Sequence, residues 1–319
     1  MAAAAGVVSS RLAIGAMMMG EAVTDQQKTQ IILGTATPGG GFPLYGDAVT
    51  AVINEVDSSL AVEPRNTKGS TENIPLLEAG KLDIALVTGE PAYEAFAGIG
   101  RPRTQLKILA AMYSTPGMFV LRADNAARAI ADLKGRPVAF GARGSGLVIL
   151  ARYVLDGIGL DPDRDFTAVY LDHAGDGPAM VLDGRVAALW GGGLGWPGFA
   201  AVAKAPGGAR FIAPDADEAA RIRGKHSFLK AMTVPAGSYP GQDMPIYSVG
   251  SWSFILARPT LDDDVAYRLA RALHRGEQAL GTRLAQARET TAANTAAAAP
   301  SLDLIHPGVL RYLKEIGIA

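Results

Sequence analysis

The sequence predicts an α/β protein made of two similar lobes. Short apolar strands alternate with amphipathic helices in two successive rounds, which is the rhythm of parallel β-sheets. Several of these strands end in glycine-rich or polar loops, and ligands of parallel sheets bind outside the carboxyl ends of the strands. The 319 residues are enough for two domains of ordinary size with a cleft between them.

The first round occupies roughly the first hundred residues. Apolar runs predict strands at 31–33, 61–64 and 82–87. Apolar residues repeat at helical spacing from Leu44 to Val56, and a second helix is expected to begin with Ser70 as its N-cap. The loops that follow the three strands, at 34–42, 67–73 and 88–93, are therefore expected along one edge of a sheet.

The second round starts at Asp132, after two further strands predicted at 106–112 and 118–121. Its own strands are predicted at 138–140, 166–171, 186–190 and 210–212, and its loops at 143–146, 173–176 and 191–196. The stretch 235–247 is dense in proline and glycine and predicts an irregular crossing segment. A strand at 251–256 and a long helix with an acidic first turn at 262–264 follow it.

Composition and charge exclude several classes of protein. Lysine plus arginine number 30 and aspartate plus glutamate 31, so the overall balance predicts no nucleic-acid partner. The absence of cysteine rules out disulfides and thiolate zinc sites, and the four histidines show no ligand spacing. We therefore expect no metal and no cofactor.

The first 29 residues have an ambiguous character. Arg11 followed by LAIGAMMMG resembles a weak secretory signal, but a basic segment before it is missing. The stretch is interpreted as a leader or the remnant of an export signal, with a disordered leader as the alternative. No segment of the sequence is long and apolar enough to predict a membrane span.

The most informative stretch is the strand, glycine-rich turn and helix at 132–155. Ser145 occupies the expected N-cap, where free N–H groups and the positive end of the helix dipole attract an anion. Arg143 adds a guanidinium that suits a carboxylate, so Arg143, Gly144, Ser145 and Gly146 are the predicted anion site. The alternative is an ordinary strand-to-helix turn with Arg143 in solvent.

Other candidate ligand-binding residues lie in the remaining loops on the same edge. Ser70 and Asn73 are predicted to hydrogen-bond a ligand, or otherwise only to cap and brace their helix. Trp196 is predicted to stack on a ligand, or otherwise to pack in the core. The remaining candidates are polar or aromatic residues near strand ends, namely Thr35, Phe42, Thr88, Glu90, Tyr113 and His173.

An enzyme is the competing class of function. The turn at 141–146 matches neither a dinucleotide-binding GxGxxG nor a Walker loop, and there is no GxSxG elbow. No histidine or aspartate is placed by sequence to activate Ser145. A binding protein is therefore predicted, with an α/β enzyme acting on a small anion, or a ligand sensor, as alternatives.

Six stretches in order resemble the TAXI family, the solute receptors of tripartite (TRAP) transporters. They cover residues 30–319 and read GTATPGGGFPLYG, TKGSTENIPLLEAGKLDIALV, DLKGRPVAFGARGSG, VPAGSYPGQD, SFILARPTLDDDVAYRLARAL and LIHPGVLRYLKEIG. The resemblance implies a type II periplasmic binding fold, with lobe I at 30–123 and 240–319, lobe II at 124–239, and a hinge between them. It also implies periplasmic capture of a small carboxylate or amino acid (glutamate, glutamine or 2-oxo acid) for a TRAP membrane permease.

The sequence departs from the family pattern at two places. Phe42 and Pro43 stand where family members commonly have a pair of tyrosines, which removes phenol donors. Thr88 and Glu90 stand where a glutamine and an aspartate are common, which changes side-chain reach near the ligand. Both departures argue against glutamate itself as the ligand.

Overall fold

The structure is a computed structural model that describes residues 1–2 and 28–319. Most of the predicted leader lies outside the described residues. The strands are β1 (Thr29–Gly34), β2 (Leu60–Arg65), β3 (Ile84–Val87), β4 (Lys107–Arg122), β5 (Pro137–Ala142), β6 (Thr167–Leu171), β7 (Ala188–Gly192), β8 (Ala209–Ile212), β9 (Lys230–Val234) and β10 (Ile246–Ala257). The predicted alternation of strands and helices is confirmed.

Helices follow most of the strands. They are α1 (Gly41–Val56), α2 (Ser70–Glu78), α3 (Gly89–Ala97), α4 (Gly146–Gly157), α5 (Pro162–Asp165), α6 (Gly177–Leu182), α7 (Pro197–Lys204), α8 (Ala216–Lys225), α9 (Asp263–Arg283), α10 (Ala292–Ala298) and α11 (Pro307–Glu315). None of the helices in the described part of the chain has the length and apolarity needed to cross a membrane.

The strands form two sheets joined through β4. In the first sheet the order is β2-β1-β3-β10-β4, and β1 pairs in parallel with both β2 and β3. In the second sheet β4 pairs with β7 and β8, while β5 lies parallel to β6 and β7. Each sheet therefore has a parallel part whose strand ends carry the loops singled out from the sequence.

Strand β4 corrects one prediction. The sequence suggested separate strands at 106–112 and 118–121, but the structure has one strand of 16 residues through Pro116 and Gly117. The polar residues in its middle are buried and satisfied, since Ser114 hydrogen-bonds Glu289 and Thr115 bonds the Ser253 hydroxyl 3.0 Å away. The polar residues therefore lie where the buried strand passes from one sheet to the other, and they do not interrupt the strand.

Two further differences concern β9 and β10. Strand β9 was not predicted, because its exposed polar residues give no apolar run; it pairs with the start of β10. Strand β10 begins five residues before the predicted 251–256, within the stretch expected to be irregular. Both β4 and β10 thus extend from the first sheet toward the second.

Apolar side chains cover both sheets. In the first sheet, α1, α9 and α11 pack on one face through residues such as Val49, Leu269 and Leu313, all buried. In the second sheet, α4 packs through Leu150 and Val154 against Phe140 and Trp190. The helices therefore hold the strand ends, and the loops that leave them, in a defined position.

Candidate ligand-binding site

A cavity that is open to solvent on one side lies where the loops of the two sheets meet. It contains about 530 Å³ of space, including its solvent-open mouth. Loops after β1, β2 and β3 form one side, and loops after β5, β6 and β7 form the other. The lining is Ala36, Thr37, Gly40, Gly41, Phe42, Lys68, Gly69, Ser70, Thr88, Tyr113, Thr115, Ala142, Ser145, Leu147, Ala174, Gly192, Trp196 and Ser253.

Five helices begin at the wall of this cavity. The lining includes Gly41, the first residue of α1, and Ser70, the first residue of α2. It also includes the N-caps of α3, α4 and α7, which are Thr88, Ser145 and Trp196. Unpaired N–H groups and dipoles at helix starts favour negative charge. The backbone alone therefore makes the cavity attractive to an anion.

Side chains cap only one of these five helices. The Ser145 hydroxyl accepts from Leu147 N at 3.2 Å, so its predicted N-cap role is confirmed. The predicted cap of α2 is corrected: Gly69 is the N-cap, and the Ser70 hydroxyl instead accepts a hydrogen bond from Thr88 N at 3.1 Å. Ser70 thereby ties the start of α2 to the start of α3.

Asn73 and Thr35 lie behind the cavity wall rather than on it. The Asn73 amide donates to the carbonyls of Thr35 and Leu86, each at 2.8 Å, and the Thr35 hydroxyl donates to the Arg65 carbonyl at 3.1 Å. Both side chains are fully buried. They hold together the ends of the three parallel strands of the first sheet, which positions the loops that line the cavity.

The predicted anion site at 143–146 is only partly brought to the cavity. Ser145 lines it, and Gly146 packs directly beside Thr88. The Arg143 side chain is 71% exposed, lies 3.9 Å from Asp172 and sits over the Tyr170 ring. It lines a separate surface depression. The sequence correctly predicted that the turn containing Arg143 lies at the cavity. The Arg143 side chain, however, points to solvent and not into the cavity.

Glu90 and His173 are also not among the lining residues. Glu90 is fully buried, and its Oε1 accepts a hydrogen bond from the Ser251 hydroxyl of β10. Its Oε2 has no partner among the described residues. Burial raises the pKa of Glu90 to about 7. His173 is exposed at the start of the short turn that carries Ala174.

Aromatic residues dominate the cavity near the start of α1. Phe42, Tyr113 and Trp196 all line it, as the sequence suggested. Tyr113 packs edge-on against the Tyr45 ring with centroids 5.5 Å apart. Trp196 packs edge-on against Phe199 at 4.9 Å. These contacts fix the orientation of both rings toward the cavity.

Sequence reasoning missed several lining residues. Lys68 is the only lysine or arginine among the described lining residues, and it lies in the predicted loop 67–73. Thr115 and Ser253 face the cavity from β4 and β10. Hydroxyl residues at buried strand positions are a signal that could have found Thr115 and Ser253.

Direct contacts across the cleft close the cavity. Thr71 donates to the Gly144 carbonyl from its backbone N at 3.3 Å and from its hydroxyl at 3.0 Å. Thr37 Oγ1 accepts from Ala174 N at 3.3 Å. The Tyr153 hydroxyl of α4 donates to the Glu94 carboxylate of α3 at 2.9 Å. The structure therefore shows a closed arrangement, in which loops of both sheets touch around one site.

Two sheets with a cleft at their parallel strand ends define the class of periplasmic binding folds. MatC from Rhodopseudomonas palustris, solved with bound malate, has a TM-score of 0.56 at 14% identity, covering 91% of this chain and 96% of that one. A protein of Bordetella bronchiseptica RB50 has a TM-score of 0.56 at 14% sequence identity, and the match covers 91% of this chain and 98% of that one. A structure described as a periplasmic transporter has a TM-score of 0.56 at 16% sequence identity, and the match covers 90% of this chain and 93% of that one. The predicted fold class is confirmed.

A family assignment follows from the sequence match. The model of the NMT1-like family matches residues 33–317. The chain therefore belongs to the NMT1-like family. This assignment is coarser than the resemblance to TAXI receptors, which remains a prediction.

Proposed function

We propose that this protein is an extracytoplasmic solute receptor that captures a small anionic ligand without chemical change. The observation that carries the proposal is the convergence of five helix starts on one cavity between two sheets. Among the described residues that line the cavity there is no histidine, aspartate or glutamate to act as a general base. This lining suits binding better than turnover.

The ligand class that we propose is the carboxylate and amino acid type, including glutamate, glutamine and 2-oxo acids. Helix starts and hydroxyls from both sheets provide donors for such groups. Closure follows from binding, because only the closed arrangement lets one ligand contact both sheets at once. We place the lobes at 30–123 with 240–319 and at 124–239, joined near the crossing strands β4 and β10.

We further propose that the receptor works in the periplasm and delivers its ligand to a TRAP-type permease. The fold shared with periplasmic binding proteins and the resemblance to TAXI receptors support this role. Membrane vesicles that contain the cognate permease should take up ligand from the loaded receptor with an ion gradient and no ATP. Uptake that requires ATP would instead indicate an ABC-type partner.

A thermal-shift screen of the purified protein, stripped of co-purified ligand, tests the receptor role. A ligand at ~100 times its dissociation constant stabilises the folded state by about 2.7 kcal/mol. We expect a raised midpoint with one class of small acids or amino acids, and recovery of that compound unchanged by mass spectrometry. A chemically altered compound would support the enzyme alternative, and silence across the panel would contradict the proposal.

Two variants compare the cations near the site. Lys68→Met should weaken binding of an anionic ligand by about 0.2–1 kcal/mol, the range for an exposed ion pair, since Lys68 is an exposed residue at the lining of the cavity. Arg143→Met should leave affinity unchanged, because its side chain lies on the solvent side of the turn. Isothermal titration measures both. A larger loss of affinity in Arg143→Met than in Lys68→Met would instead support Arg143 as the residue that binds the anion.

A further inference from the structure

The aromatic end of the cavity contains two hydrogen-bond donors that are not used within the protein. Tyr113 is 3% exposed and Trp196 is 5% exposed. Within residues 28–319, neither the Tyr113 hydroxyl nor Trp196 Nε1 makes a hydrogen bond, whereas Nε1 of Trp190 donates to the Leu147 carbonyl at 2.8 Å. Both side chains line the cavity and neither donor atom is sealed off from it, so the two donors are available to a ligand that enters the cavity.

Both donors converge on the first residue of α1. A Cβ placed on Gly41 would lie 3.5 Å from Trp196 Nε1 and 3.8 Å from the Tyr113 hydroxyl oxygen. Glycine therefore leaves the space between the two donors free at the start of a 16-residue helix without a side-chain cap. The phenol, the indole N–H and the helix start all favour an oxygen with negative charge.

The Tyr113 phenol is suited to donate rather than to carry charge. Burial raises its pKa well above the ordinary value, and the neighbouring Tyr45 adds to the shift. The hydroxyl therefore keeps its proton at physiological pH. A neutral phenol in a buried site donates a strong hydrogen bond to a carboxylate.

Nothing comparable is available for a cation. No acidic side chain is found in the lining over the described part of the chain. Glu90 is buried behind the lining, where its Oε1 accepts from Ser251 and its Oε2 has no partner among the described residues. A buried ammonium without a carboxylate partner is strongly disfavoured. The cavity therefore discriminates against a ligand that carries a free amine.

We infer that the ligand is an organic acid without an ammonium group, with its carboxylate held by the Tyr113 hydroxyl, Trp196 Nε1 and the start of α1. This inference rests on the proposed receptor function and narrows it, because it removes amino acids from the candidate ligands. Phe42 and Leu147 offer apolar contacts to the carbon body of such an acid.

Matched pairs of compounds that differ only by the amine test the inference. Isothermal titration would compare glutarate with glutamate, 3-phenylpropionate with phenylalanine, and 4-methylpentanoate with leucine. We expect at least one acid to bind more than tenfold tighter than its amino acid. Tighter binding of the amino acid in any pair overturns the inference and leaves the receptor function standing. No binding by any compound overturns the inference, and with nothing co-purifying it overturns the receptor function as well.

Two variants place the carboxylate. Tyr113→Phe and Trp196→Phe each remove one donor and keep a ring, so each should weaken binding of the preferred acid by about tenfold, as expected for one hydrogen bond to a charged group. Tyr247→Phe, which alters an exposed phenol, is the matched control and should bind normally. Unchanged affinity in both cavity variants would overturn the assigned position of the carboxylate.

Discussion

Gly144→Ala is expected to weaken ligand binding on the order of a hundredfold, about 2.7 kcal/mol, while the ligand-free protein stays folded. A Cβ at this position would lie 2.5 Å from the Lys68 carbonyl oxygen and 2.8 Å from Lys68 Cβ, across the cleft. Backbone atoms cannot yield as a flexible side chain can. The closed arrangement is therefore blocked, although no cavity side chain has changed.

The backbone conformation of Gly144 adds no second effect to the Gly144→Ala substitution. Its φ is not in the positive region that favours glycine, so alanine adds no local strain. Gly224→Ala is the matched control, because that glycine lies in α8 with no atom within 4 Å of its Cβ position. The control should bind as well as the parent. Normal affinity in Gly144→Ala would mean that the contact with Lys68 is not part of the ligand-bound state.

Glu90→Gln is expected to stabilise the protein on the order of 3 kcal/mol at pH 8 and to change little near pH 4.5. Burial raises the pKa of Glu90 from 4.5 to about 7 in the folded state. Between these values the folded protein holds a proton that the unfolded chain has lost, so stability falls as pH rises and levels off above pH 7. Each unit of pKa difference corresponds to about 1.4 kcal/mol.

Glutamine removes this dependence because it is neutral at every pH and keeps an acceptor for the Ser251 hydroxyl. Urea unfolding at pH 5 and pH 8 measures the difference between parent and variant. Glu63→Gln, at an exposed residue of β2, serves as the control and should leave both curves unchanged. Equal stability changes for Glu90→Gln at the two pH values would contradict a buried, protonated Glu90.

Local patterns explain which parts of the fold could be predicted. The strands before the glycine-rich loops are short apolar runs, and the Ser145 cap follows from a serine directly before a helical repeat. Pairing between strands distant in sequence is not a local property. The sequence predicts two strands in place of β4 because the centre of β4 is polar. The partners that satisfy these polar residues, Glu289 and Ser253, lie more than 130 residues away and are not visible in the local sequence.

The candidate site shows the same division. The rule that ligands bind at the carboxyl ends of parallel strands selected loops that do meet at the cavity, including Ser70, Thr88 and Trp196. The rule identifies loops and not the direction of a side chain within them. The rule therefore pointed to Arg143, whose side chain lies on the solvent side of its turn, and it missed Lys68, which is among the residues that line the cavity.

The position of β10 has a consequence for how the chain acquires its structure. This strand lies between β3 and β4 and pairs with both, yet it is made some 125 residues after β4. The first sheet therefore stays split until residues 246–257 have left the ribosome, and such long-range pairing is slow to form. Folding of that sheet is postponed until β10 has been made, which leaves a long interval in which chaperones can act on an incompletely folded chain.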